Sequence, residues 1–362
     1  MRRGIIALAA TGLLAVTGLT ACGDDDGGDG GSADKKPKIG VILPDSKSSA
    51  RWETADRKFL EAAFKGAGVD YDIQNAQGDK NAFQTIADQM ISSGVTALMI
   101  VNLDSGTGKA VLDKAKQQGV ATIDYDRLTL GGSADYYVSF NNVTVGELQG
   151  EGLIKCLGDK KPANIIQLNG SPTDNNATLF KQGAVSKLKP KYDAGDYKLV
   201  GDKAVPDWDN AQAGVIFEQL LTAADGKVDG VLAANDGLGN AAISALKARK
   251  LEQIPVTGQD ATAEGIQNIL AGDQCMTVYK AIKAEADAAA KLAIALAKGE
   301  EPPSGLVNGE TDDGSRKVPS ALLKPVTVTK ENIADTVIKD GFLKREEICT
   351  GKVASVCEEA GV

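Results

Sequence analysis

Residues 169–177 read Asn-Gly-Ser-Pro-Thr-Asp-Asn-Asn-Ala, and this stretch decides how the rest of the chain is interpreted. An apolar run at 163–168 leads into it, and a helix-like stretch at 178–188 leads out of it. Gly170 and Pro172 break regular structure, so the stretch is predicted to join a strand to a helix. In open α/β sheets, ligands bind at loops that follow the carboxyl ends of strands.

The polar side chains of this stretch suit a neutral ligand that carries many hydroxyl groups. Asp174 only accepts hydrogen bonds, whereas Asn175 and Asn176 both donate and accept. That mixture matches hydroxyl groups better than it matches a phosphate. A simpler interpretation stays open at this point, in which these residues form an Asx-rich turn that caps the helix.

Outside this stretch, short apolar runs alternate with amphipathic runs, which predicts repeated strand–helix units. One array begins with a strand at 39–43, and the pattern restarts after 136–140. The same pattern predicts a strand at 256–259 and an irregular loop at 302–314. Units of this kind form parallel sheets with helices on both faces. We therefore expect an α/β protein with two doubly wound parallel-sheet domains.

The first 22 residues carry the pattern of an export signal. Arg2 and Arg3 precede an apolar run at 5–16 that is too short to span a membrane. Leu-Thr-Ala-Cys at 19–22 then resembles a bacterial lipobox, which implies that Cys22 becomes the diacylated first residue of the mature protein. An ordinary signal peptide with an incidental cysteine is the alternative.

Composition sets further limits on the function. Residues 23–37 are rich in Gly and Asp and predict a disordered linker, while residues 38–362 are long enough for two domains. The net charge is −9 and no basic cluster follows the signal, which argues against nucleic acid as a partner. The chain has no histidine, which excludes Ser-His-Asp and Cys-His catalysis and His-ligated metal sites. We expect no metal, no cofactor and a monomer.

Polar and aromatic side chains cluster just past the ends of several predicted strands. Each group alone is a weak signal, because loops are polar anyway. Their shared position at carboxyl ends indicates one common site. The groups are Pro44-Asp45 with Arg51-Trp52, Asp124-Tyr125-Asp126-Arg127, Asp174 with Asn176, Asp207-Trp208, Ala234-Asn235-Asp236, Gly258-Gln259-Asp260 and Tyr279-Lys280.

The chain has only two tryptophans, and both lie among charged neighbours at strand-to-helix junctions. A tryptophan in the core is the usual alternative. A sugar ring, however, has apolar C–H faces and a polar rim. Trp52 and Trp208 could cover those faces, one from each domain, while charged and amide side chains meet the hydroxyl groups.

Several motifs make the chain resemble a known family. They are Arg51-Trp52, Tyr125-Asp126-Arg127, Ser139-Phe140-Asn141, Gly146-Glu147-Leu148-Gln149, Gly170-Ser171-Pro172, Asp174-Asn175-Asn176, Ala234-Asn235-Asp236, Gly258-Gln259-Asp260-Ala261, Met276-Thr277-Val278-Tyr279-Lys280 and the run at 335–342. From Lys38 to about Lys344 the chain resembles the D-xylose-binding proteins of bacterial ABC importers, in the type I periplasmic-binding-protein class. It departs from that pattern at 47–50, at Ala234, in its added cysteines and after Lys344.

The resemblance implies two lobes that are joined by a multi-strand hinge and close around a ligand. The implied bounds are 1–22 for the signal, 23–37 for the linker, 38–140 with about 280–322 for the first lobe, 141–279 with about 323–346 for the second lobe, and 347–362 for a tail. The implied ligand contacts are Arg51, Trp52, Arg127, Asp174, Asn176, Trp208, Asn235, Asp260 and Lys280. Carboxylates would accept from hydroxyl groups, cations would donate, and carboxamides could do either.

Four cysteines follow Cys22, and an even number in an exported protein suggests disulfides. Three pairings are possible. We expect Cys349 to pair with Cys357, because the two are close in sequence, and Cys156 to pair with Cys275.

The expected function is that of a lipoprotein on the extracellular face of the cytoplasmic membrane, which binds D-xylose and delivers it to an ABC permease. Glucose, galactose or arabinose as the ligand, or a role as a sensory co-receptor, would use the same chemistry. A glycosidase is a competitor from another class, with Asp174 and Asp260 as its carboxylate pair. A transcription regulator would need a DNA-reading helix pair in place of the export signal.

Overall fold

The computed structural model describes residues 36–251 and 253–362. The predicted export signal, the lipidation site Cys22 and the linker up to residue 35 lie outside the described residues.

The described chain alternates strands and helices. The strands are β1 (Lys38–Leu43), β2 (Asp70–Asn75), β3 (Ala97–Ile100), β4 (Ala121–Tyr125), β5 (Tyr136–Phe140), β6 (Ala163–Asn169), β7 (Tyr197–Ala204), β8 (Gly230–Ala233), β9 (Thr277–Tyr279), β10 (Gly309–Asp312), β11 (Lys317–Leu323) and β12 (Val326–Val328). The helices are α1 (Arg57–Gly66), α2 (Lys80–Ser92), α3 (Ser105–Gln117), α4 (Asn142–Leu157), α5 (Asn175–Asp193), α6 (Asn210–Ala223), α7 (Asp236–Ala248), α8 (Ala263–Ala271), α9 (Ile282–Ala297), α10 (Arg345–Ile348) and α11 (Ala354–Glu359). Short π or 3₁₀ turns cover Trp52–Asp56, Pro206–Trp208, Lys330–Asn332, Ala334–Ile338 and Gly351–Val353.

The first lobe is built on a seven-stranded sheet in the order β10-β11-β5-β4-β3-β1-β2. All neighbouring strands are parallel except the edge pair β10–β11. Successive side chains of a strand point to opposite faces. Ile39, Val41 and Leu43 of β1 therefore pack with α1 and α9, whereas Ile42 packs with α2 and α3. Helices on both faces explain why β1 is apolar along almost its whole length.

The second lobe contains the parallel sheet β7-β6-β8 and the separate antiparallel pair β12–β9. Its helices α4 and α5 approach each other closely at Gly146, where an added Cβ would collide with the backbone of Phe180. The chain passes between the two lobes three times, after β5, between β9 and α9, and between β11 and β12. The two-lobed α/β architecture thus follows the expectation from sequence, while the residue bounds of the lobes stay a prediction.

Two local predictions are wrong. The segment at 256–259 makes only a single bridge, Val256 to Val231, because Pro255 has no N–H and the Thr257 hydroxyl takes the place of a ladder partner at Ala233. The segment at 302–314 is not all loop, since β10 pairs with β11 at the sheet edge.

The segment after Lys344 packs on the second lobe. Ile348, Val353 and Cys357 are buried against Ile269 and Leu270 of α8. The tail that the sequence suggests therefore contributes to a hydrophobic cluster of the second lobe.

Candidate functional site

A cavity lies at the carboxyl ends of strands from both lobes. The structure brings all nine residues predicted from sequence to its wall, namely Arg51, Trp52, Arg127, Asp174, Asn176, Trp208, Asn235, Asp260 and Lys280. Five further residues complete the wall: Ser48, Ser49, Asp126, Phe180 and Gln259. Polar groups of both signs and three aromatic rings thus converge on one space.

Two of the wall residues also cap helices. The Oδ1 atom of Asp174 accepts a hydrogen bond from the Asn176 backbone N–H at 2.9 Å and caps α5, while its Oδ2 atom accepts from the Trp208 indole at 3.1 Å. Asn235 caps α7 by accepting from the Leu238 N–H at 2.9 Å. The capping interpretation and the site interpretation therefore describe the same side chains.

The two indoles are held rigidly. Trp52 and Trp208 are only 2% and 5% exposed. The Trp52 indole donates to the Ser48 hydroxyl at 3.1 Å, and the Arg51 guanidinium lies 4.4 Å from its ring centroid. The Trp208 ring packs on Gly170, where an added Cβ would collide with the ring. Only glycine therefore fits at position 170, within the stretch of residues 169–177.

Arg51 is surrounded by three buried carboxylates. Its guanidinium donates twice to Asp56, at 2.7 and 2.9 Å, once to Asp126 at 2.9 Å and once to Glu285 at 2.7 Å. Burial alone would lower the pKa of Arg51, but the three carboxylates raise that pKa well above its usual value. Because the guanidinium has five N–H groups, one on Nη1 is left to meet a ligand.

Asp126 stays ionised in the middle of the wall. Burial alone would raise its pKa, but Lys280, Arg51 and Arg127 together lower the pKa to about 2. The Lys280 ammonium lies 3.7 Å from Asp126 and 3.5 Å from Asp260, so it bridges two acids from different lobes. The centre of the site is therefore a set of fixed charges of alternating sign.

The lobes touch through the side chains of the site. The Arg127 Nε lies 3.2 Å from the Asp174 Oδ2, and the Asn176 amide donates to the Asp126 carbonyl at 2.9 Å. Asn142 in turn donates to the Asn176 Oδ1 at 2.8 Å and fixes the orientation of that amide. Burial raises the pKa of Asp174 even though Arg127 opposes that rise.

Three wall residues have a backbone that non-glycine residues rarely adopt. The φ angles are 62° at Asp126, 56° at Trp208 and 94° at Asp260. Each such residue costs about 1–3 kcal/mol and persists only where its surroundings fix it. Backbone hydrogen bonds hold all three, from the Asp126 N–H to the Val138 carbonyl, from the Trp208 N–H to the Val205 carbonyl and from the Asp260 N–H to the Val278 carbonyl. Strain of this kind concentrates at functional sites.

The remaining five wall residues were not among the implied ligand contacts, although Asp126 and Gln259 belong to the groups that follow predicted strands. Asp126 stands in the same motif as Arg127, so its strand-end position was a usable signal. Phe180 lies four residues after Asn176 on α5, and helical spacing could have placed both on one face. Ser48 lies in a segment that departs from the family pattern, which gave no signal for it.

The structure brings the cysteines together in two pairs. The Cα atoms of Cys156 and Cys275 are 6.4 Å apart, and those of Cys349 and Cys357 are 5.8 Å apart. Their chemical pairing stays a prediction for peptide mapping under non-reducing conditions. Within residues 36–251 and 253–362, no group of three or more Cys, Asp or Glu is placed to hold a metal ion. In the same part of the chain, no helix combines the length and the apolar character that crossing a membrane requires.

The family model of the periplasmic binding protein domain matches residues 39–301. The chain belongs to this family. This binding protein is 39% identical over 315 residues to the D-xylose-binding periplasmic protein of Escherichia coli strain K12, covering 87% of this chain and 93% of that protein. It is 34% identical over 331 residues to the multiple sugar-binding periplasmic receptor ChvE of Rhizobium radiobacter, covering 86% and 92% of the two chains.

The fold of this chain is also similar to that of a solved sugar-binding protein. An ABC transporter solute-binding protein from Clostridium phytofermentans with bound β-D-glucose gives a TM-score of 0.79 at 32% identity, covering 86% of this chain and 99% of that one. The fold class and the family resemblance seen in the sequence are therefore confirmed. The chain is an extracytoplasmic solute-binding protein and not an enzyme, which removes the glycosidase alternative.

Proposed function

We propose that this binding protein holds one monosaccharide, D-xylose before other aldoses, in the cavity between its lobes and delivers it to an ABC permease. The observation that carries the proposal is the convergence of three cations, three carboxylates and two indoles on one cavity. The D-xylose-binding relative supports the choice of sugar, and the glucose-bound structure makes D-glucose the second candidate.

The residue types assign the roles. Asp126, Asp174 and Asp260 accept hydrogen bonds from sugar hydroxyl groups, while Lys280 and the remaining N–H of Arg51 donate to them. The Trp208 ring covers an apolar C–H face of the sugar. A hydroxyl group of the wrong configuration would leave a buried partner unpaired, at a cost of about 1–3 kcal/mol. D-galactose and L-arabinose, which differ from D-glucose and D-xylose in the configuration of a hydroxyl group, are therefore expected to bind more weakly.

Titration calorimetry with D-xylose, D-glucose, D-galactose and L-arabinose tests the proposal on the chain from Lys36 onward. We expect D-xylose to bind most tightly. Asp260→Asn should weaken that binding by about tenfold or more, because it removes a buried charged acceptor. Asp193→Asn is the matched control, since Asp193 is an exposed partner of Lys189 on α5. Absence of heat with every aldose would contradict the proposal.

Anchoring is a separate part of the proposal. We place a diacyl group on Cys22, which would hold the protein on the extracellular face of the cytoplasmic membrane beside its permease and as a monomer. A fatty-acid analogue fed to growing cells should label the protein, and Cys22→Ala should abolish the label. A sensory co-receptor role would use the same sugar site and would appear as sugar-dependent signalling without a permease.

A further inference from the structure

A buried acid stands behind Arg51, outside the wall of the cavity. Glu285 is fully buried in the first turn of α9, and its Oε2 atom accepts from the Arg51 Nη2 at 2.7 Å. Among the residues that the structure describes, its Oε1 atom has no hydrogen-bond partner. A buried oxygen without a partner is costly, which calls for a reason.

The position of Glu285 in the chain links it to the closing movement. β9 belongs to the second lobe and α9 packs in the first lobe, so residues 280–285 lie on one of the three crossings between lobes. This crossing supplies Lys280 to the cavity wall and, five residues later, Glu285 to the back of Arg51. One short segment therefore supplies a wall residue and also holds another wall residue from behind.

Burial favours the neutral form of Glu285, while the charges around it act in both directions. The groups that face it are Arg51, Asp56, Asp126, Lys280 and the hydroxyl groups of Tyr125 and Tyr137. Burial raises the pKa of Glu285 to about 8, although Arg51 opposes that rise. Because Oε2 is engaged with Arg51, Oε1 is the atom that is open to a proton.

We propose that Glu285 is a positioning residue of the sugar site, which acts through Arg51 and takes up a proton from solvent on Oε1 when the lobes close on a sugar. The proposal rests on the proposed function. Closure of two lobes on a ligand excludes water from the site, and the second-lobe acids Asp174 and Asp260 line the same cavity as Asp126 in this structure. Both conditions disfavour a further negative charge nearby. Sugar affinity then falls as pH rises through the pKa of Glu285.

Calorimetry of the full chain with D-xylose between pH 6.5 and pH 9, in two buffers of different ionisation enthalpy, tests the linkage. Wild-type protein should take up protons on binding near pH 8 and bind about three- to tenfold more weakly at pH 9 than at pH 6.5. Glu285→Gln should show neither effect. Asp287→Asn, a half-exposed acid on the same helix, should behave as wild type. A pH profile that Glu285→Gln leaves unaltered would overturn the proposal.

A second measurement needs no variant. In protein labelled with ¹³C at glutamate and saturated with D-xylose, one side-chain carboxyl signal should titrate near pH 8, well apart from the ordinary glutamate value of about 4.3, and the same signal should titrate at lower pH in the sugar-free protein. If the titration of every glutamate signal is the same with and without D-xylose, Glu285 takes up no proton on closure and the proposal is wrong. If no aldose binds in calorimetry, the proposed function fails instead, so the two failures are distinguishable.

Discussion

Two buried aspartates, one in each lobe, have pKa values that are shifted in opposite directions at similar depth. Asp126 of the first lobe has a pKa lowered to about 2, because Lys280, Arg51 and Arg127 outweigh the effect of burial. Asp236 of the second lobe has a pKa raised to about 7, mainly by burial. The difference shows that the neighbouring cations, and not depth alone, decide which acid is available as an ionised acceptor.

The partners of Asp236 explain its role. It accepts from the Thr262 N–H at 2.7 Å, from the Gln274 amide at 2.8 Å and from the Thr277 hydroxyl at 2.8 Å, all of them uncharged. These donors belong to the start of α8, the loop before β9 and β9 itself. Asp236 therefore joins segments of the second lobe, whereas Asp126 faces the cavity.

The largest expected effect follows from removing the cation shared by the first-lobe acids. Arg51→Met should lower the free energy of unfolding by about 3–5 kcal/mol, because it removes the guanidinium that pairs with the buried carboxylates Asp56, Asp126 and Glu285. Urea unfolding at pH 7 measures this. Arg249→Met is the control, since Arg249 pairs with Glu218 at the surface and should cost less than about 1 kcal/mol. An equal loss of unfolding free energy in the two variants would contradict the claim that the ion pairs of Arg51 stabilise the first lobe.

Substituting each of the two aspartates distinguishes a residue that stabilises the fold from a residue that binds the sugar. Asp236→Ala should lower the free energy of unfolding by about 1–3 kcal/mol, because the Gln274 and Thr277 donors lose their acceptor. Asp126→Ala should instead weaken D-xylose binding by about tenfold or more, through loss of an ionised acceptor. Urea unfolding and calorimetry on both variants measure the two quantities. A loss of affinity in Asp236→Ala as large as in Asp126→Ala would remove the distinction.

The smallest expected effect is a difference in the pH dependence of stability. The pKa of Asp236 is raised from 3.8 to about 7 on folding, so folded protein binds more protons in that window. Its contribution to stability is complete below pH 3.8 and is lost as pH rises towards 7. For Asp126 the pKa is lowered from 3.8 to about 2, so its contribution is present above 3.8 and is lost as pH falls.

Urea unfolding across pH 3 to pH 8 measures how the free energy of unfolding depends on pH in both ranges. Asp236→Asn should remove part of the fall in stability between pH 4 and pH 7. Asp126→Asn should reduce the loss of stability at the acid end. If the free energy of unfolding depends on pH in both variants as it does in the wild type, other groups determine the pH dependence of stability.

The strand–helix pattern predicted the two-lobed fold because each repeated unit carries its own periodicity and its own polar loop. It failed at β10, an edge strand of Gly-Glu-Thr-Asp in which half-exposed and exposed residues alternate and whose pairing depends on β11. The nine wall residues were implied by the resemblance to the D-xylose-binding proteins, and the clustering of polar groups after predicted strands pointed to the same edge of the sheets. The sequence did not point to Glu285, because a glutamate in the first turn of an Ala-rich helix is typical of a residue that simply interacts with the helix dipole. Only the return of α9 to the first lobe places it against Arg51.

The double use of Asp174 and Asn235 limits how this protein can acquire a new ligand. Each side chain that could be exchanged to accommodate a different hydroxyl pattern also starts a helix, α5 or α7. Exchange for alanine would open space in the cavity and uncap the helix at about 1 kcal/mol, whereas Asn, Ser or Thr would keep the cap. Changes of ligand preference at these two positions are therefore restricted to a few short polar residues that can also cap a helix.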